Sequence, residues 1–156
     1  MSTLARLLRA LARDRRFRTV LAITPDRARM RWPVCVPVTA QGSGDLGARM
    51  HRACARYQRG RVAIIGSDIP DAGAADLAVA FRAVRRAGTA FGPATDGGYW
   101  LVALGPRRPA RPFAGVRWST GHALADTVRN FRGRRVVMLR MLRDVDEAAD
   151  LRSIAG

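Results

Sequence analysis

The chain has 156 residues, 48% of them hydrophobic, with 28 basic residues against 12 acidic ones and a formal net charge of +16. That length suits one domain with a sizeable core, and the apolar content lies above the disordered range. No apolar run approaches the roughly 20 residues that span a bilayer. Every basic residue is arginine and none is lysine, so the excess reads as a compositional Arg bias forming a soluble cationic coat. Binding of nucleic acid would rest on charge alone, because no zinc-knuckle, RRM-like or KH-like pattern and no interleaved stacking aromatics accompany it. Arg6, Arg9, Arg13 and Arg16 recur at helical spacing, as do Arg49, Arg52, Arg56 and Arg59, and each set predicts one solvated helix face. Cys35 and Cys54 match no metal spacing and no disulfide framework, which points to reduced thiols in a cytoplasmic protein.

In chain order, Leu4 to Arg16 reads as a helix, then Thr19 to Thr24 as a β-branched strand closed by Pro25. Val34 to Val38 predicts a strand with Pro37 marking an edge or an end. Asp45 opens a helix with Leu46, Met50, Cys54 and Tyr57 along one side, and Val62 to Ile65 is a short apolar strand followed by a polar GSD turn. Asp71 or Gly73 begins a helix carrying Leu77, Ala80, Phe81 and Val84, which ends near Gly88. Thr89 to Phe91 and Tyr99 to Leu104 read as strands on either side of the turn-rich PATDGG, and Pro106 to Pro112 as a basic surface loop. Ser119 or Thr120 can cap a helix with Leu124, Val128 and Phe131; Val136 to Leu139 is a last strand, and Asp146 caps a closing helix. This alternation predicts a single domain, a three-layer α/β/α sandwich around a mainly parallel sheet.

Ligands of such sheets bind beyond the carboxyl ends of the strands. Several of the scarce acids fall at such ends: Asp68, Asp96, Asp144 and Asp146. Carboxylates set around one crevice by different loops suit Mg²⁺ or Mn²⁺ bound to a diphosphate, since these ions take hard oxygen ligands. Each segment also has a purely structural reading. Asp68 in GSDIP can cap local backbone, the glycines of GPATDGGY can serve a tight hairpin, and the loop Gln41 to Gly47 can be a flexible connection capped by Asp45.

Taken together, GDLGARM at 44–50, GSDIP at 66–70, GPATDGGYWLVAL at 92–104, FAGVRWST at 113–120 and DVDEAADL at 144–151 resemble a bacterial family of glycosyltransferase-like proteins related to phospholactate guanylyltransferase. The resemblance implies the nucleotide-diphospho-sugar transferase (GT-A) fold, a nucleotide-sugar or NTP ligand, an unidentified small-molecule acceptor, and Mg²⁺ or Mn²⁺. Carried over by position, Asp68 and Asp146 become metal ligands and Asp96 the catalytic acid or base. Ser67, Gly97, Gly98, Tyr99, Trp118 and Arg49 become substrate contacts. Glu147 stands where the family carries threonine. The family also opens with a strand and a basic phosphate loop, GxxKTRL-like, for which this sequence shows no counterpart. An amino-terminally incomplete domain with an exposed sheet edge, open to self-association, is therefore expected. Three functions follow: glycosyl transfer, nucleotidyl transfer with release of pyrophosphate, or a non-catalytic binding domain.

Overall fold

The computed structural model describes residues 2–26, 32 and 34–143. Helix α1 (Thr3–Arg13) starts where the Ser2 hydroxyl accepts the Ala5 amide at 3.3 Å and buries Leu7, Leu8 and Leu11. It stops three residues before the sequence pattern does. Asp14 takes an extended conformation and its carboxylate accepts both the backbone and the guanidinium of Arg16, a local turn that competes with the helix.

Strands β1 (Leu21–Ile23) and β2 (Val38–Ala40) pair in parallel as a separate two-stranded sheet. The expected strand at Val34 to Val38 is displaced toward the C-terminus. Pro37 has no N–H to donate, and its carbonyl accepts the Leu21 amide at 2.9 Å, so the ladder begins at Val38. Helix α2 (Leu46–Ala55) is capped by the Asp45 carboxylate on the Ala48 amide at 2.8 Å. Its buried face is Gly47, Met50 and Cys54, while Leu46 and Tyr57 are exposed, a stripe displaced from the expected one.

The main sheet contains β3 (Val62–Ile65), β4 (Thr89–Pro93), β5 (Tyr99–Leu104) and β6 (Val137–Met138) in the order β3-β5-β4-β6. Strand β5 is antiparallel to both neighbours, and β4 and β6 are parallel. Three strands thus share one direction, and β5 is reversed because a hairpin rather than a crossover helix delivers it. Among the described residues β3 pairs with β5 alone, so its outer edge is free. Helix α3 (Ala74–Ala87) begins at Gly73, whose amide donates to Asp76, and ends at Gly88 with φ 87°. Helix α4 (Ala123–Arg129) starts later than expected: Ser119 lies at φ 57° and Thr120 accepts the His122 amide in a turn before the helix.

The two faces of the sheet carry different cores. Leu7, Leu11, Leu77 and Val84 of α1 and α3 pack with Ala90, Leu101 and Ala103 on one side. Met50 and Cys54 of α2 pack with Phe91, Val102, Leu104, Phe113 and Phe131 on the other, joined by Leu124 and Val128 of α4. This gives three layers. Among the described residues no helix is long and apolar enough to cross a membrane. The expected helix at Asp146 lies outside the described residues.

Candidate active site

Because β3 and β4 both run opposite to β5, their C-terminal ends and the start of β5 meet at one end of the sheet. Segment 66–70 leaves β3 there. The Gly66 amide donates to the Trp100 carbonyl at 2.9 Å and Ile69 is buried, so backbone and side chain pin the segment at both ends. Between these anchors Ser67 and Asp68 are exposed, with the Ser67 hydroxyl donating to Asp68 Oδ2 at 3.0 Å.

Asp96 sits on the hairpin between β4 and β5. Its Oδ1 accepts the Gly98 amide at 2.8 Å, the Ala94 amide donates to the Gly98 carbonyl at 3.0 Å, and Gly97 has φ 87°. Any Cβ at position 97 would run into the Gly121 carbonyl, while the Gly97 carbonyl accepts the Leu124 amide at 3.1 Å. The glycine therefore answers two demands at once, a left-handed conformation and a close approach to the loop before α4. On the other side the Thr95 amide donates to the Leu142 carbonyl at 3.2 Å. The chain thus arrives beside the Asp96 loop just before Asp144 and Asp146, which themselves lie outside the described residues.

Tyr99 and Trp118 form a wall behind this loop. Tyr99 meets Phe91 and Trp118 edge-on, with ring centroids at 5.3 and 6.3 Å. Its hydroxyl is 3.3 Å from Thr127 Oγ1, and burial raises its pKa well above the usual phenol value. The tyrosine therefore faces inward and stays neutral. Trp118 in turn lies against Gly47, where a Cβ would be 3.0 Å from the indole, so it connects the hairpin to the first turn of α2. Both aromatics serve as packing between Asp96 and α2.

Of the arginines whose spacing predicts a solvated face, Arg56 and Arg59 are exposed just beyond α2, whereas Arg49 and Arg52 on the helix are half-buried against the preceding segment. Arg49 Nε donates to the Gly44 carbonyl at 2.9 Å, and Arg52 donates to the carbonyls of Gln41 at 2.5 Å and Ser43 at 2.9 Å. Arg56 bonds to Thr39. Three guanidinium groups thus fasten segment 39–44 to α2 by satisfying its carbonyls. Arg108, in the loop read as surface, does the same for the chain after α2, with Nη2 on the carbonyls of Tyr57 and Gly60 at 2.7 and 3.1 Å.

Asp126 was not singled out by any motif. It is buried on α4 and accepts from Arg117 Nε at 2.8 Å, Nη2 at 2.9 Å and the Arg117 amide at 3.1 Å. The Arg117 hydrogen bonds hold its carboxyl far below the usual carboxylate value. This clamp fixes the loop that carries Trp118. The one signal in the sequence was an acid among the apolar positions of a helix.

Among the described residues no group of three or more His, Cys, Asp or Glu side chains could hold a metal ion. Asp68 and Asp96 are nevertheless exposed at the same end of the sheet, each with one oxygen committed locally and the other without a partner among the described residues. A hard carboxylate oxygen such as the uncommitted one of Asp68 is the kind of ligand that Mg²⁺ or Mn²⁺ takes, with phosphate oxygens and water able to complete the shell.

Residues 7–120 match the family described as uncharacterized protein conserved in bacteria, DUF2064. The chain belongs to that family. In three dimensions it is similar to a Desulfovibrio desulfuricans G20 protein described as a putative nucleotide-diphospho-sugar transferase, at 29% identity and a TM-score of 0.85. The match covers 97% of this chain and 72% of the other. No curated protein matches this DUF2064 chain. The likeness establishes the nucleotide-diphospho-sugar transferase fold for it.

Proposed function

We propose that this DUF2064 protein is a glycosyltransferase that uses a nucleotide-diphospho-sugar donor. The observation that carries the reading is the convergence of the Ser67-Asp68 turn and the Asp96-Gly97-Gly98 hairpin at one end of the sheet, in a fold shared with the Desulfovibrio protein. Asp68 and Asp146 would hold Mg²⁺ or Mn²⁺, which when bound supplies positive charge against the donor diphosphate. The Ser67 hydroxyl and the backbone at Gly97 and Gly98 are placed to contact the donor. Arg49 spends Nε on the Gly44 carbonyl, which leaves its terminal nitrogens for phosphate. Tyr99 and Trp118 support the hairpin from behind.

The acceptor hydroxyl oxygen forms the new bond to the anomeric carbon as the bond from that carbon to the diphosphate breaks. The bonding electrons leave with the diphosphate oxygen. The hydroxyl proton passes to the Asp96 oxygen that does not accept from Gly98, so the hydrogen bond at Oδ1 fixes the carboxylate for this role. We place the protein in the cytoplasm, in keeping with its two free thiols.

Calorimetric titration with a panel of nucleoside diphosphates and their sugars, with and without Mg²⁺ or Mn²⁺, tests the reading. Wild type should bind in a metal-dependent manner, and Asp68→Ala should lose the metal dependence while remaining folded. Absence of metal-dependent binding across the panel overturns it. Nucleotidyl transfer uses the same site, and pyrophosphate release from an NTP with a phosphorylated acceptor, without release of nucleoside diphosphate from a sugar donor, would replace glycosyl transfer with that reaction.

A further inference from the structure

The loop before α4 presents Ser119, Thr120, Gly121 and His122 to solvent, yet its backbone is closely fixed. Arg117 commits both its backbone and its side chain. Its amide, Nε and Nη2 donate to the buried Asp126 carboxylate at 3.1, 2.8 and 2.9 Å, and its carbonyl accepts the Thr120 hydroxyl at 2.7 Å. The Thr120 oxygen accepts the His122 amide at 3.2 Å, which closes the turn. Between these joints Ser119 lies at φ 57°, the one non-glycine residue at positive φ among the described residues. Such a conformation persists where its neighbours over-determine it, and it is enriched at functional sites.

What this loop presses on is the Asp96 hairpin. The Gly121 backbone lies where a Cβ of residue 97 would stand, and a Cβ on Gly121 would in turn be 3.5 Å from the Asp96 carbonyl oxygen. The Leu124 amide, in the first turn of α4, donates to the Gly97 carbonyl at 3.1 Å. Asp126 belongs to the same stretch of helix, its amide bonded to the His122 carbonyl at 2.9 Å. One short piece of α4 thus grips the loop through the Asp126 carboxylate and the hairpin through the Leu124 amide, so that Gly97 is held by both. The next link is the Gly98 amide, which donates to Asp96 Oδ1 at 2.8 Å. Asp126 itself is 3% exposed and also meets Arg129 Nη1 at 3.3 Å, so it is walled off from any substrate.

We propose that Asp126, through its clamp on Arg117, is the positioning residue for Asp96. It sets the loop that holds the hairpin, and with it the orientation of the carboxylate that takes the acceptor proton. That last step rests on the glycosyl transfer reading, whereas the mechanical link from Asp126 to Gly98 does not. A charged pair suits the task, because several hydrogen bonds between two planar groups fix direction as well as distance.

Amide-resolved hydrogen exchange and donor turnover on the full chain test this together. In Asp126→Asn the Gly98 amide should exchange about tenfold faster than in wild type, a larger factor than that of Val102 and Leu104, which report the whole fold. Arg117→Gln, made from the exposed side of the pair, should act in the same direction, and Arg117→Lys should recover part of the protection. Arg129→Gln leaves the Arg117 clamp in place and should stay within about twofold of wild type. Turnover is read as nucleoside diphosphate released from the nucleotide sugar that wild type binds, with Mn²⁺ and water as the acceptor. Asp126→Asn should lower kcat about tenfold with the donor KM changed by less than about twofold, and adding it to Asp96→Asn should cost nothing further. Gly98 exchange that rises no more than that of β5 overturns the proposal. So does a loss confined to KM, or one that adds to that of Asp96→Asn. Absence of metal-dependent donor binding in wild type overturns the glycosyl transfer reading instead, and the exchange of Gly98 then decides the clamp by itself.

Discussion

The Trp100 indole lies directly over the backbone of Gly92, so that a Cβ at position 92 would stand 2.5 Å from Trp100 Cε2. The pairing of β4 with β5 shifts register between Gly92 and Pro93, and this irregularity puts Trp100 and Leu101 in the same core. The indole N–H then donates to the Arg140 carbonyl at 3.2 Å, tying the hairpin strand to the segment after β6. Gly92→Ala forces the ring out of this slot. The expected loss is about 1–3 kcal/mol, the range for overpacking a core. Thermal unfolding should show it as a fall in Tm of several degrees, and Trp100→Phe in the same background should recover part of the loss by shortening the ring.

Gly97→Ala tests the hairpin rather than the core. The substitution places a Cβ on a left-handed residue and against the Gly121 carbonyl, so strain and collision act together. The loop must open, and Asp96 moves with it. We expect a stability loss of roughly 1–3 kcal/mol, accompanied by loss of metal-dependent nucleotide binding that exceeds what unfolding explains. Gly98→Ala is the control, because its Cβ would sit 3.1 Å from Asp96 Oδ1, a milder contact that a small shift relieves.

How far the residues announced these features depends on whether the determinant was local. Strands Val62–Ile65 and Tyr99–Leu104 were legible with their bounds, because each is a compact apolar run between turn residues. The stop at Gly88 was legible for the same reason. What escaped was decided by partners distant in sequence: Arg52 finds Gln41, Arg108 finds Tyr57, and Arg117 finds Asp126 only once the chain has folded. Helical spacing makes such arginines look like a solvated face, since periodicity is blind to carbonyls waiting across a loop. The positions of Asp68 and Asp96 were legible as strand-end acids, whereas the inward turn of the Tyr99 hydroxyl toward Thr127 was not.

Arg52→Lys separates charge from geometry in the 39–44 segment. The guanidinium reaches two carbonyls at once, those of Gln41 and Ser43. A lysine keeps the charge but offers a single ammonium point, and one of the two bonds is lost. We expect a small loss of global stability, about 0.5–1.5 kcal/mol for one hydrogen bond. Hydrogen exchange should rise selectively in residues 41–45. A uniform rise across the protein would show that Arg52 acts on the core instead.

The two thiols should differ sharply in reactivity. Cys35 is exposed, whereas Cys54 lies on the buried face of α2, and burial pushes its thiol up to about 11 despite the neighbouring Arg108. At pH 8 a thiol reagent should modify Cys35 rapidly and leave Cys54 untouched until the protein unfolds, because the thiolate is the reacting species. Intact-mass measurement would show a single adduct in native buffer and two in denaturant. Rapid native labelling of Cys54 would mean that α2 opens away from Phe91 and Phe113.

Acid should loosen the loop carrying Trp118 through one identifiable carboxylate. Hydrogen bonds from Arg117 lower the Asp126 pKa in the folded protein below the ordinary value of 3.8. Unfolding lets the pKa rise back to that value, so below it the unfolded chain binds a proton that the folded one resists. The stability contributed by the pair is complete above pH 3.8 and declines as pH falls from there toward the folded-state pKa. Asp126→Asn removes this titrating group and keeps the shape of the side chain. Denaturant midpoints measured between neutral pH and pH 2 should fall less steeply for the variant than for wild type at the acid end, with the variant less stable at neutral pH. Parallel acid limbs for the two proteins would show that other carboxylates, such as Asp14 with Arg16, carry the acid sensitivity.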